Sequence, residues 1–175
     1  METQSFVQKV RERLHPNTYA GRLESSGTPF DLLLARRRSR MSHDLFGVPE
    51  FRADVAPRAQ IEAARTEIAR LFGSLCYRSE IVLHLLVHGP ESQWRPHVDA
   101  LCADRSGFRG VMIQSVHLVD PVTASSYRTI SMWGPVKYTR RSAESCTELQ
   151  GAIQPLFTAA VIEGDLRSRA DQPVG

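Results

Sequence analysis

A chain of 175 residues, 42% apolar and 23% charged, is long enough to bury roughly two thirds of its unfolded surface without help from metals or disulfides. That balance excludes a disordered chain, and no apolar run reaches membrane-spanning length, so a folded protein without a membrane partner is expected. The net charge of +3 is built almost wholly from arginine, with Lys9 and Lys137 as the only lysines; this suits bidentate recognition of phosphate or carboxylate, and GC-rich coding produces the same bias.

Charges run through the first turns from Glu2 to Arg13, which argues against a secretory signal. Cys76, Cys102 and Cys146 are an odd number at wide spacing, which fits reduced packing residues in a cytoplasmic protein better than a disulfide framework.

Ser5-Phe6-Val7-Gln8 has the spacing of a capping box, and Phe6, Val7, Val10 and Leu14 recur at helical intervals until Pro16, predicting a helix from about Thr3 to His15. The polar stretch 17–27 reads as a loop. Thr28-Pro29-Phe30-Asp31 then places a hydroxyl at an N-cap, a proline at the first helical position and a carboxylate in the first turn. A second helix is expected there, with Phe30, Leu33, Leu34 and Met41 on one face. Residues 42–57 read as a connection anchored by Leu45, Phe46, Val48 and Phe51. A third helix is predicted from Pro57 to about Leu75.

Residues 80–88 and 109–119 are rich in β-branched and large apolar side chains and predict strands. Between them, Trp94, Val98 and Leu101 mark a short helix ending near Asp104. Residues 127–136 alternate, and the connection 120–126 is short enough for an antiparallel hairpin with 109–119. Ser142 caps a last helix through Leu149 and Ile153, interrupted or restarted at Pro155 and continuing towards Gly164. The element order predicts an α+β fold in which a small, mainly antiparallel sheet of about three strands, 80–88, 109–119 and 127–136, is covered by amphipathic helices. One globular domain is expected over residues 1–164, followed by a frayed tail over 165–175.

No phosphate-binding glycine loop, nucleophile elbow or paired-cysteine metal motif occurs. No cofactor is therefore expected, and catalysis is the less favoured class. Two basic clusters remain. Arg36, Arg37, Arg38 and Arg40 gather where a helix C-terminus would favour cations. Lys137, Tyr138, Arg140 and Arg141, with Trp133 for stacking, follow the third strand and have no such excuse. The leading expectation is a non-enzymatic, regulatory or accessory protein that uses these clusters to bind nucleic acid or an acidic protein surface. Its first alternative is a small metal-dependent hydrolase or nuclease built on His84, His88, His97 and His117 with Asp99 or Asp120, since His84 and His88 lie on one face of either a strand or a helix. Its second is an oligomeric structural subunit pairing through the edge strand 127–136, a possible homo-oligomer.

Overall fold

The computed structural model of the protein describes residues 3–14, 20–21, 28–39, 42–72, 80–102, 111–130 and 144–156. Phe6, Val10 and Leu14 fall on one stripe and are all buried, so Thr3–Leu14 forms helix α1 with that stripe against a sheet. The sheet contains Ala20–Gly21 (β1), Leu32–Ser39 (β2), Ser42–Val48 (β3), Glu80–His88 (β4), Val111–Val119 (β5) and Ser126–Ile130 (β6), and these lie side by side in chain order. β1 is a two-residue edge on five full strands. Pairing is antiparallel for β1–β2, β2–β3 and β5–β6, and parallel for β3–β4 and β4–β5.

Parallel neighbours need a crossover, and the chain supplies two. Helix α2, Pro57–Phe72, joins β3 to β4. Helix α3 (Glu91–Trp94), a 3-10 turn (Arg95–His97) and helix α4 (Val98–Cys102) join β4 to β5. Both crossovers lie on one face, where Ile61, Ala64, Ile68, Phe72, Trp94 and Leu101 pack on Leu33, Leu45, Ile81, Leu83, Leu85 and Val87. The opposite face carries α1 and a helix over residues 144–156 (α5), whose Leu149, Ile153 and Leu156 meet Leu32, Leu34, Phe46, Val48 and Leu86. The protein is thus a helix–sheet–helix sandwich with two apolar cores.

This corrects the expected small, mainly antiparallel three-stranded layer: the sheet is mixed, has five full strands, and is parallel at its centre. Two of the five full strands come from residues expected to be helix or connection, and β1 lies in the stretch expected to be a loop. Leu32–Ser39 is composed largely of leucine, alanine and arginine, all good helix formers. As a strand, however, it pairs with β1 and β3 and buries Leu32 and Leu34 on one face and Leu33 on the other. Burial on two faces outweighs a propensity difference of at most about 1 kcal/mol per residue. In β3, the glycine that made residues 42–57 look like a connection has a packing role. A Cβ on Gly47 would stand 2.5 Å from Phe30 Cε1.

We therefore expect Gly47→Ala to cost roughly 1–3 kcal/mol through overpacking, measured by urea denaturation. Phe30→Leu in the same chain should recover part of that loss, because it removes the atoms in the way.

The helices expected near 3–15 and 57–75, the strands expected at 80–88 and 109–119, and the hairpin after them all occur, with bounds shifted by a few residues. Residues 131–136 of the third expected strand and the tail 165–175 lie outside the described residues. No helix among the described residues is long and apolar enough to cross a membrane.

Candidate functional site

Alternation along β2 sends Arg36 and Arg38 to the face covered by α1 and α5, and Asp44 on β3 faces the same way. The Asp44 side chain is only 7% exposed and its Oδ2 gathers three donors: Arg38 Nε at 2.5 Å, Ser145 Oγ at 2.9 Å and Arg36 Nη2 at 3.3 Å. Ser145, in the first turn of α5, also accepts from Arg38 Nη2 at 2.8 Å and from Arg36 Nη2 at 3.2 Å, while Arg36 Nη1 reaches Glu148 at 2.7 Å. These contacts tie β2, β3 and α5 into one buried polar knot. Two of the four arginines expected to meet a partner in the first cluster are therefore held by the protein's own acids. Arg37 is exposed. Arg40 and the whole second cluster, Trp133, Lys137, Tyr138, Arg140 and Arg141, lie outside the described residues.

The histidines occupy three separate settings. His84 on β4 and His117 on β5 are buried and share one hydroxyl: Ser115 Oγ lies 2.7 Å from His84 Nδ1 and 3.1 Å from His117 Nε2. A single hydroxyl proton can be donated to only one of the two rings, so the other ring donates to the oxygen. Burial pushes His84 down to about 4, a fall moderated by Asp44 and deepened by Arg36 and Arg38. Burial likewise pushes His117 down to about 3, with His84 and Arg128 adding to the effect. Both rings are neutral at pH 7. Cys146 Sγ lies 3.9 Å from His117 Nε2, and the cysteine is buried at 1% exposure.

His88, at the far end of β4, packs against the Phe6 ring with centroids 5.9 Å apart, and its Nε2 donates to Asp31 Oδ2 at 2.7 Å. His97 is exposed and stacks on Phe51, and Asp99 is exposed. Asp120 accepts from the N–H groups of Glu91, Val122 and Thr123 and so fixes the β5–β6 turn and the start of α3. Burial alone would raise its carboxyl, and those donors outweigh burial and hold it below the ordinary range. The set His84, His88, His97, His117 and Asp99 does not converge. Among the described residues, no three His, Cys, Asp or Glu side chains are grouped so as to hold a metal ion.

An open concavity lies at the carboxyl ends of β3 and β4, on the face covered by α2. Its volume is about 220 Å³, its floor is Leu85, Val87, Ile61, Ala64 and Leu101, and its rim includes Asp31, Glu50, Arg52 and Gln60. Three chain segments build it. The stretch entering β2 is pinned by Asp31 N donating to Val48 O at 2.8 Å. The stretch leaving β3 runs beside β4, with His88 N donating to Pro49 O at 3.1 Å and Phe51 N to His88 O at 2.8 Å. The first turns of α2 are joined to that stretch by Gln60, whose amide bonds Arg52 N, Arg52 O and Val55 O at 2.8–2.9 Å.

Arg52 is engaged by Asp54 through two bonds of 2.7 and 3.3 Å, and those bonds hold Asp54 below the ordinary carboxylate range. No ion pair to Glu50 is found among the described residues.

None of these rim residues is conspicuous in the sequence: Asp31 has the appearance of a first-turn carboxylate, and Glu50 and Arg52 sit in what reads as a connection. The usable signal is the Val48-Pro49 step, where a strand end meets a proline ahead of the strongest helix, the usual site-building loop of a βα unit. The chain matches no family model, no curated protein and no solved structure.

Proposed function

We propose that the protein is a binding domain for a small organic ligand, with no reaction of its own, and that its site is the cavity at the carboxyl ends of β3 and β4. The observation that supports this reading is the cavity itself: an apolar floor beneath a short polar rim, in the place where parallel strands present their connecting loops. A volume of about 220 Å³ exceeds the ~150 Å³ cavity that takes up benzene and suits a compact molecule rather than a nucleotide. His84 and His117 are buried and neutral, Cys146 is buried in the first turn of α5, and Asp44 Oδ2 is held by three donors. None of these groups lines the cavity.

Ala63 provides the test, because it lines the cavity yet is exposed on α2, so a larger side chain there fills the site without disturbing either core. A small-molecule screen by thermal shift should yield ligands that stabilise the protein by about 1.4 kcal/mol at tenfold their Kd, a rise in melting temperature of about 3 °C. Ala63→Phe should remove that rise and leave the unliganded melting temperature within about 1 °C. Ligands that stabilise Ala63→Phe equally well would place binding elsewhere.

A further inference from the structure

We infer that the cavity is coupled to helix α1 on the opposite face of the sheet, with His88 as the positioning residue that links occupancy of the one to docking of the other. This inference rests on the proposed binding site and states how that site is regulated. His88 ends β4 and holds two of the segments that wall the cavity. Its N–H donates to Pro49 O at 3.1 Å and its carbonyl accepts from Phe51 N at 2.8 Å, which fixes the stretch leaving β3. The ring Nε2 donates to Asp31 Oδ2 at 2.7 Å, which fixes the stretch entering β2. Pro49 and Asp31 line the cavity, whereas His88 is not among its lining residues.

The ring that makes the Asp31 bond lies against α1. The His88 side chain is 1% exposed, and the ring centroid stands 5.9 Å from that of Phe6, a fully buried member of the apolar stripe of α1. The second ring nitrogen, Nδ1, is buried with no hydrogen-bond partner among the described residues. An unpaired polar atom in a core is costly, so an apolar side chain would fill this place better, and what histidine adds is the bond to Asp31. That bond depends on α1. With the helix docked, the ring has one orientation and water is kept from its donor. With the helix away, the ring turns freely and water competes for Nε2, so Asp31 loses its fixed position. A ligand seated against Asp31 and Pro49 therefore prefers the protein with α1 docked, and by linkage it strengthens that docking by the same factor.

Amide hydrogen exchange of the full chain, read by NMR, tests both directions of the link. The probes are indole and whichever compound stabilises the protein most in the thermal-shift screen. Saturation of the wild-type protein should slow exchange in residues 6–14 about fivefold or more beyond any slowing in α5, which covers the same face. His88→Phe keeps a ring against Phe6 but has no donor, so it should weaken probe binding about fivefold or more and abolish the α1 response. Asp31→Ala cuts the same bond from its exposed end and should abolish that response too. His88→Gln, whose amide nitrogen reaches about as far as Nε2, should restore the affinity, which a packing role alone would not do. If His88→Phe binds as tightly as the wild type, or if α1 and α5 slow equally, the link is overturned and the binding site stands. If no probe slows the amides of residues 28–31, 49–52 and 60–64, the binding site itself fails. The link is then read without ligand: His88→Phe should speed exchange of the Asp31 amide relative to that of Phe51, whose bond is to the backbone of residue 88, and equal rates in variant and wild type would overturn it.

Discussion

Asp44→Ala should destabilise the protein by roughly 3–5 kcal/mol, the range for removing one partner from a buried ionic cluster. The physical cause is what remains behind. Arg36, with a side chain 14% exposed, and Arg38, at 29%, would face each other and Ser145 across β2 and α5 with their shared acceptor gone. Ser145→Ala removes a neutral member of the same knot and should cost about 1 kcal/mol, the usual value for a lost hydrogen bond. Replacing the whole set, Arg36→Met with Arg38→Met and Asp44→Leu, should recover most of the loss, because an apolar cluster of similar volume needs no desolvation of charge. Urea denaturation of the three variants reads these differences directly. A loss below about 0.5 kcal/mol for Asp44→Ala, the range of ordinary surface changes, would mean that Arg36 and Arg38 are solvated and available to a partner.

Acid should be unusually damaging, and the sign follows from the two buried rings. The unfolded chain takes up a proton on each histidine as pH falls through about 6.5. The folded protein resists until about 4 at His84 and about 3 at His117, because burial disfavours the charged ring. Below pH 6.5 the unfolded state therefore binds more protons, so stability is greatest above 6.5, falls with falling pH, and levels off below about 3. Between pH 6.5 and pH 5 the two rings together should remove about 3 kcal/mol. His117→Gln should roughly halve that slope, since only His84 then remains to titrate, whatever the variant does to stability at pH 8. Urea midpoints at half-unit steps of pH measure the slope, and a stability unchanged from pH 7 to pH 5 would show that the rings are hydrated in the native state.

The run Ile81-Val82-Leu83-His84-Leu85-Leu86-Val87 carried more information than its strand character. It does not alternate, and a strand apolar on both sides belongs at the centre of a parallel sheet with helices on each face. Both features occur at β4, which pairs in parallel on both sides and buries every residue from Ile81 to His88. α1 and α2 were legible because their apolar stripes recur at the helical period. β2 was not, because leucine, alanine and arginine lean towards helix, and only pairing with β1 and β3 reverses that preference.

The polar knot was beyond sequence reasoning for a different reason. Asp44 meets Ser145 across 101 positions of chain, and no local spacing encodes such a pair. The cavity is of the same kind: Asp31, Glu50 and Gln60 come from three segments, and only the order of strands brings them to one rim. The spacing of four on β4 does put His84 and His88 on one face. A strand separates residues four apart by about 13 Å, however, which leaves each ring to a different neighbour.

The most direct measurement is a map of where small molecules act on the protein. Backbone amide shifts recorded during titration of a compound that stabilises the protein in the thermal-shift screen should move as one saturable group in residues 28–31, 49–52, 60–64 and 85–87, with Ala63→Phe abolishing the response. Shifts confined to other residues would contradict a ligand site at the carboxyl ends of the parallel strands.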